Sequence, residues 1–351
     1  DRDLVNLPLA AAAGLPAILV VDIDPGGAFA AAHGTIDLLP QHLRAPIAGI
    51  VFNKFRGDAG LLHPGIAELE RRTGVPVLGV LPHLVDHLAL GAEDSLDVGS
   101  GLQPATRSSR PVRVVGIRLP HLANPSDLDP FTIEPDVDLR WVTRPGDVAG
   151  ADLIVVPGSR ATVADRRRLR DRGLDGALRG TGAWNVGLCA GYQMLGRRIE
   201  DEVESGLGVV DGIGLLDSET VFQQPKLVRP SSGTADGHRV EGYQIRYGRP
   251  TGGDAPWLRL DGADEGSIGR SGTIRGTSLH GLFDADGFRS DLLAAVAEAR
   301  GREYRPAPTG FAVELDRYHD RLADWVEGAI PADRLLELAA TAGPPDRAPG
   351  W

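Results

Sequence analysis

The stretch Asn185-Val186-Gly187-Leu188-Cys189-Ala190-Gly191-Tyr192-Gln193-Met194-Leu195-Gly196 constrains the fold more than any other, and it holds the only cysteine of the 351 residues. The residues up to Leu188 read as the end of a short buried strand, and those from Tyr192 as the start of a helix. Cys189 therefore stands in a tight strand-to-helix turn flanked by Gly187 and Gly191. Such a turn needs strained backbone angles and close approach of its two elements, and glycine permits both. A cysteine at a helix N-terminus also feels the positive end of the helix dipole, which favours the reactive thiolate.

The chain around this turn alternates strands with helices. Apolar runs at 17–24, 47–54 and 75–82 read as buried parallel strands, with helices expected at 3–14, 28–39 and 61–73. A second series follows, with strands at 112–117, 139–142 and 153–159 and a helix from about Thr162. Residues 209–275 are strand-like and rich in turns, and helices are expected at 291–300, 311–330 and 333–342. Alternation of this kind implies α/β architecture with parallel sheets. The Gly/Ser/Arg-rich stretch 99–111 lacks periodicity. The expected organisation is a first domain over 1–103, a linker at 104–111, a second domain over 112–330, and a C-terminal helix with a disordered tail over 331–351.

Composition excludes several classes. A net charge of −11 argues against non-specific nucleic-acid binding and favours a cytoplasmic enzyme. A single cysteine allows neither an internal disulfide nor a cysteine-based metal site, and no structural metal is suggested. There is no run of 18 apolar residues, so no transmembrane span is expected. Oligomeric state is not fixed by the sequence, and a homo-oligomer stays open.

A cysteine nucleophile needs a base. Among nine histidines, His280 stands out because it lies between a short apolar strand and Gly281, late in the second domain. The backbone N–H of Ala190 would face the oxygen of an acyl group attacked by sulfur. The Gly158-Ser159 turn ends a parallel strand, where open α/β sheets place their sites, and offers a second oxyanion donor. In the first domain, Asp22 and Asp24 end one strand and suit a Mg²⁺-nucleotide site. Asn53 and Lys54 end the next and suit contacts to base or phosphates. No G-x-x-x-x-G-K-[ST] phosphate loop occurs.

Several long motifs resemble the cobyric acid synthases. Gly187–Gly196, Val155–Thr162 (V-V-P-G-S-R-A-T) and Gly276–Arg289 (G-T-S-L-H-G-L-F-D-A-D-G-F-R) resemble the family's glutaminase domain. Asp1–Asn6, Val20–Ala30, Asn53–Asp58 and Val77–Leu84 resemble its ATP-dependent synthetase domain. Ile117–Phe131 (I-R-L-P-H-L-A-N-P-S-D-L-D-P-F) resembles the segment just after its interdomain linker. The resemblance implies a P-loop-type, dethiobiotin synthetase-like parallel α/β domain and a class I-type glutamine amidotransferase α/β domain. In the family the phosphate loop precedes the point where this sequence starts. With the first residue not Met, an N-terminally truncated chain is expected, lacking its first strand and phosphate loop.

The resemblance also implies chemistry. Glutamine would be hydrolysed through a Cys189 thioester, with His280 moving protons and Gly158, Ser159, Ala190, Gly191 and Gln193 contacting glutamine or its oxyanion. ATP and Mg²⁺ would activate carboxylates of a corrinoid, adenosylcobyrinic acid a,c-diamide, which ammonia converts to amides. The neighbouring readings are cobyrinic acid a,c-diamide synthase or a cell-wall amidotransferase. A reading from another class is a non-catalytic nucleotide- or corrinoid-binding protein. The sequence departs from the family's patterns in places. Gln244 and Arg246 stand where it has Glu and His, and Pro25 where it has Arg. Ordinary class I glutaminases orient the histidine with a Glu two residues on. Leu282 occupies that place here, as in the resembled family, so the group that orients His280 is unidentified.

Overall fold

The computed structural model describes residues 5–84 and 108–343. The chain divides into two compact units, Asp1–Asp86 with Arg317–Trp351, and His87–Asp316. The expected linker core at 104–107 and the expected tail from residue 344 lie outside the described residues.

In the first unit, α1 (Leu7–Ala13) precedes β1 (Ala17–Asp22), α2 (Ala28–Leu38), α3 (Gln41–Arg44), β2 (Ile47–Phe55), α4 (His63–Thr73) and β3 (Val77–Pro82). The strands form one parallel sheet in the order β1-β2-β3. Its core packs Ile50 and Phe52 of β2 against Ala32 and Ile36 of α2 and Leu69 of α4. Gly74, at φ 69°, closes α4, and its N–H reaches Glu70 O at 2.8 Å. β1 departs from the buried strand expected. It is an edge strand, and alternate side chains Ile18 and Val20 face outward, 38% and 58% exposed. A continuous apolar run reads as buried on both faces, but among the described residues only one face of β1 is covered.

In the second unit a six-stranded sheet is built from β4 (Val112–Ile117), β6 (Val137–Val142), β7 (Leu153–Val156), β9 (Trp184–Leu188), β16 (Ser267–Ile268) and β17 (Ile274–Thr277). Its order is β16-β17-β9-β7-β4-β6, parallel except for the β16–β17 pair. Both faces are buried. Leu153 and Val155 of β7 join one core with Phe288 and Leu292, while Ile154 and Val156 join another with Val163, Leu169 and Leu178. Each such side chain contributes about 1.5–3 kcal/mol when fully buried. Helices α5 (Thr162–Asp171), α6 (Leu174–Gly180), α7 (Ala190–Leu195) and α8 (Asp286–Arg300) accompany the sheet. β5 (Leu122–Ala123) pairs antiparallel with β8 (Gly158–Ser159).

The turn-rich region folds as a second sheet of β10 (Arg198–Asp201), β11 (Gly208–Asp211), β12 (Ser218–Ala235), β13 (His238–Gly252), β14 (Leu258–Leu260) and β15 (Ala263–Glu265). β12 and β13 make a long hairpin turned at Asp236-Gly237, both at positive φ (47° and 86°). That pair suits the twist of a two-residue hairpin.

The last helices, α9 (Phe311–Glu327) and α10 (Ala332–Ala340), alter the expected boundary at 330. Within the first unit, Ile330 packs with Val51, Leu78 and Leu81. Trp325 Nε1 donates to Pro82 O at 3.1 Å, and Arg334 donates to Leu78 O at 3.3 Å. Residues from Arg317 onward therefore count with the first unit. A contact so distant in sequence leaves no local signal.

Candidate active site

Three adjacent parallel strands, β17, β9 and β7, deliver the site at their C-terminal ends. Cys189 follows β9 and caps the N-terminus of α7, with φ 50° and ψ −109°. A non-glycine residue there stores about 1–3 kcal/mol of strain, held by the packing around it. A Cβ on Gly187 would lie 2.6 Å from Tyr192 N, and one on Gly191 would lie 1.8 Å from Val156 O. Both flanking glycines thus serve close approach, as the sequence suggests. Cys189 N–H donates to Thr277 O at 2.8 Å, tying the turn to β17. Its thiol points toward Ile245 O, 3.6 Å away.

His280 follows β17 and is 1% exposed. Its Nδ1 lies 2.7 Å from Asp127 Oδ2, while Asp127 Oδ1 accepts the Gly281 N–H at 2.9 Å. Asp127, itself buried, sits in the first turn of the 3₁₀ helix Pro125–Ile133 that follows β5. The Tyr243 ring stacks on His280 at 5.1 Å between centroids, and the two residues exchange backbone hydrogen bonds. Asn124 donates from its amide to the Tyr243 hydroxyl. Burial opposes a charged His280, but the charges of Asp127 and Cys189 outweigh it and hold the pKa well above the ordinary histidine value. The carboxylate absent at position 282 is thus supplied by Asp127. Sequence reasoning missed that role, although the residue lies inside the Ile117–Phe131 motif.

A cavity of about 470 Å³ opens on Cys189 and His280 and is lined also by Gly158, Ser159, Ala190, Gln193, Glu204, Lys226 and Arg246. Gly158 and Ser159 are held by the β5–β8 pair and by Ser159 Oγ donating to the buried Asp165 at 2.6 Å. His121 Nδ1 meets the same carboxylate at 2.9 Å. Gln193 is 2% exposed, and its Oε1 has no hydrogen-bond partner within the protein. Gly191 lies against the Val156 and Pro157 backbone, where a Cβ would find no room. Gln244 and Arg246 are bonded to each other, Arg246 Nη2 to Gln244 Oε1 at 2.9 Å. A neutral amide accepting from a guanidinium thus occupies the place of the family's Glu and His.

The first-domain candidates also gather at strand ends. Asp22 pairs with Asn53 in the β1–β2 register. Lys54 Nζ meets Asp22 Oδ2 at 2.6 Å, and Arg56 Nε meets Asp24 Oδ1 at 3.1 Å. The Lys54 hydrogen bond is the main cause holding the Asp22 carboxyl below its usual pKa. Among the described residues no cluster of three or more His, Cys, Asp or Glu is arranged to hold a metal ion, and no helix is long and apolar enough to cross a membrane.

Comparison with known proteins identifies the family. A family model described as a CobB/CobQ-like glutamine amidotransferase domain matches residues 113–288, and an AAA domain model matches residues 1–88. The cobyric acid synthase of Saccharopolyspora erythraea is 46% identical over 364 residues, covering 99% of this chain and 70% of that protein. That of Nocardia farcinica is 44% identical, covering 97% and 70%, and that of Klebsiella pneumoniae 41% identical, covering 96% and 70%. On identity sustained over nearly its whole length, the chain belongs to the cobyric acid synthase family.

Proposed function

We infer that this protein serves ATP- and glutamine-dependent amidation of corrinoid carboxylates in cobalamin biosynthesis, converting adenosylcobyrinic acid a,c-diamide to adenosylcobyric acid, and that the residues of this chain carry its glutaminase half. The observation that carries the reading is the meeting of Cys189, His280 and Asp127 beside one cavity. Cys189 sulfur attacks the amide carbon of glutamine. His280 takes the thiol proton and passes it to the departing ammonia as the carbon–nitrogen bond breaks. Water, relieved of a proton by His280, then cleaves the thioester to glutamate and restores the thiol. Asp127 fixes the ring with Nδ1 toward itself, leaving Nε2 for the sulfur, the logic of a catalytic triad. The Ala190 N–H and the Gly158-Ser159 backbone face the developing oxyanion, and Gln193 contacts the amide.

In the same reading ATP belongs to the first unit. Asp22 and Asp24 would hold its Mg²⁺, which would neutralise phosphate charge, and Asn53 and Lys54 would meet base or phosphates. These groups fit charged ligands, since each acid already holds a cation that Mg²⁺ would replace. The test is transfer of label from amide-¹⁵N glutamine to the a,c-diamide with ATP and Mg²⁺, read by mass spectrometry. Incorporation that disappears in Cys189→Ala and returns with free ammonia supports the reading. Absence of both label transfer and glutamine hydrolysis contradicts it.

A further inference from the structure

Asp165, on α5, is fully buried, and its carboxylate joins two segments that carry the site. We propose that Asp165 is a positioning residue for glutamine hydrolysis, acting through Ser159 to hold the oxyanion strand β8 in place against His280. The proposal rests on the glutaminase reading above and deepens it.

Asp165 Oδ2 accepts the Ser159 hydroxyl at 2.6 Å and the His121 backbone N–H at 3.2 Å. Its Oδ1 meets His121 Nδ1 at 2.9 Å. A further tie runs between the same two segments, where His121 O accepts the Arg160 N–H at 2.9 Å. These contacts stand beside the β5–β8 pair, in which Leu122 lies opposite Ser159 and Ala123 opposite Gly158. A ladder of two residues is marginal by itself, and the buried carboxylate supplies the anchor it lacks. Through His121 it also fixes the start of the segment that carries Asp127.

The anchor matters because of what β8 touches. A Cβ on Gly158 would lie 3.2 Å from His280 Cε1 and 3.3 Å from Ala123 O, so the strand already stands against the base. The Ser159 hydroxyl is spent on holding it there. It donates to Asp165 and accepts the Ala161 N–H at 2.9 Å. Its single proton is committed, so it is not available to an oxyanion, and Ser159 contributes through its backbone. A backbone donor stabilises developing charge only from the right distance, and a misplacement of about 1 Å can cost about a hundredfold in rate.

The test measures kcat and KM for glutamate release by the full chain, in variants that thermal melting shows to be folded at the assay temperature. Asp165→Ala removes the Ser159 and His121 contacts and should lower kcat by about ten- to a hundredfold, with KM little changed. Asp165→Asn keeps an acceptor for Ser159 and can donate to His121 Nδ1, so it should recover most of the rate. Ser159→Ala should lower kcat by a smaller factor, and the double variant should be no slower than Asp165→Ala. Losses that multiply in the double variant, or a folded Asp165→Ala with wild-type kcat, overturn the proposal and leave the glutaminase reading standing. If Asp165→Ala does not fold, Ser159→Ala decides, and wild-type kcat in that variant overturns the proposal. A wild-type chain that releases no glutamate overturns the glutaminase reading and the proposal together.

Discussion

Asp127 and His280, 153 residues apart in sequence, are joined by a 2.7 Å hydrogen bond in the interior of the second unit. The partner of the base comes from the segment after β5, whereas the base follows β17. The short β5–β8 pair holds the start of that segment beside Gly158 and Ser159. One device therefore positions both the orienting carboxylate and the backbone expected to meet the oxyanion.

This pair sets a pH dependence of stability. The folded pKa of His280 is raised above its unfolded value, so its contribution is fully present below about pH 6.5 and is lost as pH rises through the folded pKa. Asp127→Asn removes the partner that raises it. The melting temperature of the variant should fall furthest below wild type near pH 6, with the gap narrowing toward alkaline pH. Thermal melts at a series of pH values check this.

Asp284 titrates in the opposite sense. Burial is the main cause lifting its carboxyl to about 6, and nearby Asp127 adds to the effect. Between the unfolded value near 4 and the folded value near 6, the native state holds the extra proton, so stability falls as pH rises through that window. Asp284→Asn removes this penalty. It should stabilise the chain at pH 7–8, by a modest amount because the side chain is exposed to solvent, with little gain below about pH 4. Urea unfolding at both pH values measures it.

Gly191→Ala would drive a methyl group to within 1.8 Å of Val156 O, at a position where backbone meets backbone. The turn cannot absorb this without moving α7 from β7. The variant should lose several kcal/mol, about the cost of a severely overpacked core position, and Cys189 should lose its selective alkylation. Gly176→Ala, on α6, meets nothing within 4 Å and should change stability by under about 1 kcal/mol. Denaturant midpoints of the two variants give the comparison.

What was legible in the sequence was local. The glycines around Cys189 announce the elbow because close approach leaves a mark within five residues, and His280 stands out beside Gly281 after a short apolar strand. Asp127 gave no such sign, since its role exists only once β5 pairs with β8 and the following turns reach His280. Glu204 from the loop after β10 and Lys226 from within β12 come to one cavity, which no periodicity encodes. The residues after Arg317 read as helices correctly, but their packing on β2 and β3 depends on contacts more than 200 residues away, such as Trp325 to Pro82.

The most direct test of the account is the rate of glutamate release from L-glutamine by the wild-type chain, Cys189→Ala and Asp127→Asn, measured side by side. The account predicts turnover by wild type, none by Cys189→Ala, and a loss of about 10²- to 10⁴-fold in kcat for Asp127→Asn, with smaller change in KM. Asp127→Asn turning over at the wild-type rate, or Cys189→Ala retaining activity, would contradict it.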